Sequence, residues 1–337
     1  MEQIRWGTDR AEAYLAAMKA VALADGRSRL QPIERKMLIA TAQHVLRENV
    51  DVDALRPSTP EQLAAAVPEA ARREQVLQFL ILMPYLDGVV DRMQVAAVDE
   101  FANVLGVHPD TLTSLHQVRD GRMKRLLWDY SRRSLASGIL PGDGFFGKLR
   151  SVVEGFRQYR GDASVARRYH TYEGYPQGTL GRVFYDFYRA RGFPIPGEAG
   201  SFSEFLVPHD LSHILGGFNT DMGGEMDVAG MEAGMSRTAI GYELLLEVML
   251  DFHLGIAFTT AGILEPDVGH FHPDSVMAGF ELGSKMKIDL LTGWDWHAVM
   301  GERVTDLRDR YGIEGVDLIE LPAPVANDAH PEKRPIA

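Results

Sequence analysis

The chain has 337 residues, a formal net charge of −12 and no cysteine. The lack of thiols excludes disulfide bonds, thiolate metal ligands and cysteine nucleophiles. The acidic charge argues against nucleic-acid binding, which uses clustered lysine and arginine to replace phosphate counterions. A chain of this length fits two domains better than one, and it can bury about three quarters of its unfolded surface without covalent staples.

The amino-terminal third repeats a pattern of helix, Asp-Gly turn and helix. Residues 11–24 combine helical apolar spacing with strong helix formers, and Asp25-Gly26 ends that helix. A second helix is predicted over residues 32–46. About sixty residues later Asp87-Gly88 again precedes a helix, which is predicted over residues 92–105. This repetition predicts a compact helical domain built from two similar halves.

The repeated pattern resembles the TerB-like (tellurite resistance) helical domain, over roughly residues 10–115. In that family an Ala-Asp-Gly turn is followed by an acidic residue on the next helix, as Asp25 and Glu34 stand here. Asp87 and Asp99 are the matching acids of the second half. The resemblance implies an interaction or regulatory module. Its acids either hold a cation or cap helices and close turns, and the second interpretation is favoured.

Three segments are predicted: a TerB-like domain over residues 1–119, a second helical domain over 120–321 and a disordered, proline-rich tail over 322–337. Between residues 122 and 168 cations outnumber acids, so this stretch either forms solvated helix faces or meets an anionic membrane surface or substrate. The start of the sequence has no signal-peptide or transit-peptide pattern, and no apolar run is long enough to cross a bilayer. The predicted location is the cytoplasm or the inner face of a membrane.

A helix predicted over residues 180–191 carries three aromatic residues on one face: Phe184, Phe187 and Tyr188. This face is predicted to pack in the core first and to contact lipid second. No strand pattern is found in the sequence. The predicted fold is therefore all-α, with two helical domains.

A short segment rich in histidine and acid follows. Pro208 favours the first turn of a helix, which puts His209 and His213 one turn apart on the same face. Asp210 adjoins the first histidine, and four glycines allow the chain to turn back and bring Glu225 to the same point. Two imidazoles and two carboxylates would make a metal site with nitrogen and oxygen ligands. The spacing leaves another interpretation open, with a capping aspartate, core histidines and a solvated glutamate.

The most apolar predicted helix comes next, over residues 238–258, and carries one acidic stripe: Glu243, Glu247 and Asp251. Such a stripe either supplies acids that orient ligating histidines or forms the wet side of the helix. His270 and His272, in the following loop, are spare ligand candidates.

The histidine motif resembles that of the coenzyme Q (ubiquinone) biosynthesis protein 4 family, in which His-Asp-x-x-His is followed by eleven residues and Glu. The chain matches this pattern at four positions: His209, Asp210, His213 and Glu225. Residues 178–182 resemble the segment before the family's motif, and residues 295–313 resemble its closing segment. The resemblance covers roughly residues 170–315, and it implies a multi-helix bundle around the metal site.

The resemblance also implies a function. The four matched residues would hold a divalent metal, with zinc favoured and iron or manganese as alternatives, and Glu225 and Asp210 would be catalytic. The implied activity is that of a lyase that removes the C1 carboxylate from a polyprenylated hydroxybenzoate, with the metal as a Lewis acid. Implied partners are a prenyl-lipid substrate, a membrane surface, a quinone-biosynthesis complex and a second copy of the chain. An apolar groove for the prenyl tail is predicted between residues 184–188 and 238–258.

Two other functions stay open. The run His-Asp-Leu-Ser-His also resembles the central motif of HD-type metal phosphohydrolases, with His170 and Asp251 as candidate outer ligands. That function predicts phosphodiesterase activity that depends on His170. The other is a non-catalytic prenyl-lipid carrier or scaffold with a structural metal, which predicts that loss of the metal unfolds the protein.

Overall fold

The protein is all-α wherever the structure describes it, so the predicted fold class is confirmed. The computed structural model describes residues 8–123, 125–126, 161–201, 204–236, 240–256 and 269–317. Within these ranges there is no β-strand, and one isolated antiparallel bridge joins Thr179 to Arg303.

The helices fall into an earlier and a later set along the chain. The earlier set is α1 (Thr8–Ala22), α2 (Pro32–Ala40), α3 (Pro60–Ala66), α4 (Ala70–Leu82), α5 (Arg92–Leu105) and α6 (Asp110–Arg119). The later set is α7 (Ala163–His170), α8 (Leu180–Arg191), α9 (Val207–Gly216), α10 (Met222–Met235), α11 (Ile240–Phe252), α12 (Pro273–Lys285) and α13 (Val304–Tyr311). Helix α2 continues into a π-helical segment, Thr41–Leu46.

The two Asp-Gly turns have the same geometry, which explains the repetition in the sequence. Asp25 accepts a hydrogen bond from the backbone N–H two residues later (3.0 Å), and Asp87 does the same (3.1 Å). Gly26 and Gly88 have φ angles of 88° and 80°, in the left-handed region that glycine adopts without steric cost. The aspartates therefore close the turns, as predicted.

A half-buried arginine, Arg27, supplies positive charge among the amino-terminal acids. The Arg27 guanidinium donates hydrogen bonds to the carboxylates of Asp25 and Glu34, the latter at 2.7 Å. Glu34 is fully buried, and the side-chain amide of Gln94, from the second half, donates to the same carboxylate (3.3 Å). Glu34 also accepts from the backbone N–H before α2 (2.7 Å), as a capping residue does. Asp99 instead contacts a histidine of α6 at 2.7 Å.

The apolar side chains form two clusters. The first joins α1–α6 to α10–α12, and the second joins α7, α8, α9 and α13. In the first cluster the ring of Phe79 meets those of Tyr242 and Phe280, with centroids 5.9 and 5.4 Å away. Packing therefore crosses residue 119, and the division of the chain there stays a prediction.

Helices α10 and α12 pack with their backbones in contact, because each has glycines at a four-residue spacing: Gly230 and Gly234 on α10, Gly279 and Gly283 on α12. A Cβ atom on Gly234 would lie 2.2 Å from the carbonyl oxygen of Phe280. One on Gly283 would lie 1.9 Å from the carbonyl oxygen of Met231. Side chains larger than hydrogen do not fit here. The contact fixes α10, the helix that carries Glu225.

No helix in the described ranges is both long and apolar enough to cross a lipid bilayer. Most of the basic stretch at residues 122–168, and all of the predicted tail at 322–337, lie outside the described residues. The expected contact with a membrane surface therefore stays a prediction.

Candidate metal centre

Helix α9 carries the two histidines of the motif. Pro208 stands in its first turn, as predicted, where a missing N–H costs no hydrogen bond. Gly217 follows the helix with a φ of 75°, the left-handed conformation that commonly ends helices. His209 and His213 are therefore one turn apart, and their ring centroids lie 4.9 Å from each other.

Helix α10 brings the glutamate of the motif to α9. Asp221 caps this helix by accepting a hydrogen bond from the N–H of Gly224 (2.8 Å). Gly223 and Gly224, which were predicted to form the turn, therefore lie inside the first helical turn. A Cβ atom on Gly224 would lie 2.0 Å from the carbonyl oxygen of Asn219, so glycine permits the close approach of the preceding loop. Glu225 is the next residue.

Three of the four predicted ligands meet at one point: His209, His213 and Glu225. The Nε2 atom of His209 lies 3.1 Å from Glu225 Oε2, and that of His213 lies 3.4 Å from Glu225 Oε1. The two Nε2 atoms are 3.3 Å apart. Each residue offers one ligand atom, and these atoms all lie within 4.8 Å of one another. His213 is 1% exposed, so this member of the group is shielded from solvent.

The second nitrogen of each histidine ring also has a partner. His209 Nδ1 lies 3.0 Å from Oε1 of Glu232, and His213 Nδ1 lies 3.3 Å from the backbone carbonyl oxygen of Phe218. Histidines that ligate metals commonly donate their other N–H to a carboxylate or a backbone carbonyl, which fixes the ring and its tautomer. Both rings have this arrangement.

This donor set fits a divalent metal ion. A carbonyl oxygen only accepts hydrogen bonds, so a hydrogen on His213 Nδ1 would be donated to Phe218, and the Nε2 atom of that ring could then bind a metal ion. His209 has the same option, because its Nδ1 faces the carboxylate of Glu232. The two Nε2 atoms are 3.3 Å apart and both face the carboxylate of Glu225, so a positive charge among these three side chains is favourable. A metal ion bound by all three side chains supplies that charge.

The electrostatics of the group favour positive charge at His209. Burial lowers the pKa of His209, but the carboxylates of Glu232 and Glu225 outweigh burial and raise this pKa well above its usual value. Burial raises the pKa of Glu225, yet the neighbouring histidines, His213 foremost, bring this pKa far below its usual range. The group therefore stabilises either a proton or a metal ion between its members.

Asp210, the fourth predicted ligand, does not belong to the three-residue group. Its carboxylate accepts a short hydrogen bond from the phenol of Tyr188, on α8. Burial raises the pKa of Asp210, although the neighbouring His209 and this hydrogen bond lower it. The role of Asp210 as a metal ligand stays a prediction.

Glu232 is the site residue that sequence reasoning missed. It lies seven residues after Glu225 on α10, so two helical turns put both carboxylates on the same face. That spacing was the available signal. The sequence offered the acidic stripe on α11 as one source of partners for the histidines, with the wet side of that helix as the favoured interpretation, but the carboxylate bonded to His209 comes from α10.

The remaining ligand candidates are not part of the group within the described residues. His170 Nε2 lies 3.1 Å from a carboxylate oxygen of Glu198, and Asp251 is buried in α11. Neither of them, nor His270 or His272, belongs to the group that could hold a metal. The outer ligands that an HD-type phosphohydrolase would need are therefore not brought to the histidines.

The groove predicted for a prenyl tail is not formed by the two helices proposed for it. Phe184 and Phe187 of α8 are fully buried in the second apolar cluster. The apolar residues of α11 belong to the first cluster instead. The aromatic face of α8 therefore packs in the core, which is the first of the two roles predicted for that face.

Comparisons with known proteins assign no family. No protein-family model and no curated protein matches this chain. The resemblances to the coenzyme Q biosynthesis protein 4 family and to the TerB-like domain rest on short motifs and stay predictions. The function must therefore be argued from the site.

Proposed function

We propose that the chain is a metal-dependent lyase of prenylquinone biosynthesis, which removes the C1 carboxylate of a polyprenylated hydroxybenzoate. The proposal is carried by the convergence of His209, His213 and Glu225, with both Nδ1 atoms held by acceptors. Two histidines and one glutamate are a ligand set of catalytic metal sites, which keep one position for water or substrate. The motif's resemblance to the coenzyme Q biosynthesis protein 4 family supplies the substrate class.

The ligand atoms favour zinc, with iron or manganese as alternatives. Imidazole nitrogen and carboxylate oxygen suit these borderline ions, and the chain has no thiolate that would select softer ones. His209 and His213 would hold the ion through Nε2, and Glu225 through its carboxylate. Bound there, the ion supplies a Lewis acid that stabilises negative charge on the substrate.

The reaction also needs a proton. The bond between C1 and the carboxylate breaks, CO2 leaves, the electron pair stays on C1 and C1 then takes up one proton. Asp210 and Tyr188 form a hydrogen-bonded pair beside His209, and in this proposal the pair holds that proton. Asp210 then has a catalytic role without being a ligand.

The prenyl tail needs apolar surface near this pair. Phe193 is 39% exposed, and its ring meets that of Tyr188 edge-on with centroids 5.9 Å apart. In the proposal the tail lies along Phe193, which replaces the groove predicted from the sequence. Because a polyprenyl substrate resides in membranes, the proposal includes peripheral contact with the inner face of a membrane and with other quinone-biosynthesis proteins.

Metal analysis and an activity assay of the purified full-length protein test the proposal together. We expect one zinc, iron or manganese ion per chain, and CO2 release from polyprenylated hydroxybenzoate that depends on this ion. Glu225→Ala should lose both the ion and the activity. Asp227→Asn, on the same helix but outside the ligand group, is the matched control and should keep both. A folded protein that retains no metal and releases no CO2 would overturn the proposal.

The same variants separate the two alternative functions. A purely structural metal predicts that Glu225→Ala unfolds the protein, whereas a catalytic metal predicts a folded, inactive variant that still binds prenyl lipid. An HD-type phosphohydrolase predicts phosphodiesterase activity that His170→Ala abolishes. Its outer ligand candidates do not reach the group, so no observation favours it.

A further inference from the structure

Glu232 is a carboxylate shielded from solvent. It is 0% exposed and lies on α10, a helix that packs against both α11 and α12. Gly241, near the start of α11, allows that helix to approach, because a Cβ atom there would lie 2.6 Å from the carbonyl oxygen of Glu232. The backbone of Glu232 is thus held by close packing, and its side chain is shielded from water.

The two oxygens of this carboxylate have different surroundings. Oε1 lies 3.0 Å from His209 Nδ1, whereas Oε2 is buried and has no hydrogen-bond partner among the described residues. A buried carboxylate is costly unless a positive charge or several hydrogen bonds compensate it. The charge that compensates Glu232 must therefore act through His209.

The neighbouring histidine has no such dependence on a side chain. His213 Nδ1 is held by the backbone carbonyl of Phe218, which any residue at position 218 would supply. His209 depends on Glu232 instead. One dication bound by two neutral histidines would be balanced by the carboxylates of Glu225 and Glu232.

We infer that Glu232 is the positioning residue of the metal centre. It holds the His209 ring with Nε2 directed at the ion, increases the donor strength of that ring and balances the second charge of the ion. The inference rests on the proposed metal site but not on the identity of the substrate. Carboxylates in this position commonly change metal affinity by about 10- to 100-fold.

Titration of the metal-free, full-length protein with Co2+ tests this role, because the visible absorption of bound Co2+ reports the geometry and strength of its ligands. Glu232→Gln keeps an acceptor oxygen but loses the charge, and we expect affinity for Co2+ to fall about tenfold. Glu232→Ala releases the ring, and we expect a loss of about 100-fold with an altered absorption spectrum. A residue that served packing alone would leave the spectrum of bound Co2+ unchanged.

Circular dichroism of each metal-free variant checks the fold, and the near-isosteric Gln variant keeps the test decisive if the Ala variant does not fold. Asp227→Asn, also on α10, should bind Co2+ as the wild type does, and Glu225→Ala should bind none. If the wild type binds no Co2+, the proposed metal site itself is wrong. If the wild type binds and Glu232→Gln has the same affinity and spectrum, only the role of Glu232 is wrong.

Discussion

The Nε2 atoms of His209 and His213 lie 3.3 Å apart, and each also faces the carboxylate of Glu225. Because this arrangement exists only in the folded chain, a metal ion bound there should stabilise the fold. A ligand at 100 times its dissociation constant adds about 2.7 kcal/mol to the free energy of unfolding. We expect zinc at this excess to raise the thermal midpoint and a chelator to reverse the rise, as followed by circular dichroism.

Two histidine variants identify the source of that stabilisation. His213→Ala should abolish the effect of zinc, because it removes a ligand atom from the group. His116→Ala removes a histidine that contacts Asp99 among the amino-terminal helices, and it should preserve the effect. Equal zinc stabilisation in both variants would contradict a site on α9.

Local features of the sequence predicted the local part of the site. Pro208 and Gly217 mark the ends of α9, and the spacing of His209 and His213 is meaningful because a helix repeats every 3.6 residues. The bounds predicted for α5 and α8 from the same kind of pattern, residues 92–105 and 180–191, match those in the structure. These features depend on neighbours within a few residues, and the sequence displays them directly.

Features that depend on distant packing were missed. The spacing of Glu225 and Glu232 shows that they share a helix face, but not that this face meets His209. Likewise the direction of the Asp210 carboxylate depends on Tyr188, which belongs to another helix. The residues around Glu232 and Asp210 contain no signal for which other helices become their neighbours.

Variants of the Asp210–Tyr188 pair distinguish two roles for Asp210, namely holding the proton for C1 and binding the metal ion. Asp210→Asn should keep one metal ion per chain but lower kcat by about 100-fold or more, because the variant cannot hold the proton for C1. Tyr188→Phe should have a smaller effect of the same kind. Metal analysis and steady-state kinetics of both variants are the measurements. If Asp210→Asn loses the metal, Asp210 belongs to the ligand set, as the sequence motif predicted.

Phe193 provides a test of the proposed path for the prenyl tail. Burying a phenylalanine-sized apolar group is worth about 1.5–3 kcal/mol, so Phe193→Ser should raise the KM of the prenylated substrate about tenfold or more. The KM of hydroxybenzoate without a tail should not change. Val89→Ser is the control. Val89 is an exposed apolar residue that follows the second Asp-Gly turn, and its substitution should alter neither KM value. An equal rise for both substrates would show that Phe193 supports the site rather than the tail.

The raised pKa of Glu34 makes the free energy of unfolding depend on pH. Burial raises its pKa above the usual 4.5, against the lowering effect of hydrogen bonds from the Gln31 backbone and Arg27. Between pH 4.5 and the raised pKa of the folded state, the unfolded chain is mostly deprotonated at this residue while the folded chain still holds the proton. The free energy of unfolding therefore falls as pH rises from 4.5 through the folded pKa.

Glu34→Gln should remove the contribution of this residue to the fall in the free energy of unfolding with rising pH. Urea unfolding at a series of pH values measures this fall. The comparison is the difference between variant and wild type at each pH, because other groups titrate in the same range. Glu302→Gln removes an exposed carboxylate that pairs with Arg310, and this variant should keep the wild-type decline. A decline as steep in Glu34→Gln as in the wild type would mean that another group causes it.

Because Gly283 contacts the backbone of Met231, its substitution should lower the free energy of unfolding more than the other substitutions proposed above. A Cβ atom on Gly283 would lie 1.9 Å from the carbonyl oxygen of Met231, and a backbone atom moves only if α10 and α12 separate. Overpacking costs about 1–3 kcal/mol and occasionally more, so Gly283→Ala should lower the urea midpoint sharply. Because α10 carries Glu225 and Glu232, the same variant should also bind zinc more weakly.

Gly301→Ala is the matched substitution, since nothing lies within 4 Å of a Cβ atom at that position. Its free energy of unfolding should stay within about 0.5 kcal/mol of the wild type. If the two alanine variants instead unfold at the same urea concentration, α10 and α12 can move apart without cost. The metal ligands would then owe their positions to α9 and its loop rather than to the glycine contact.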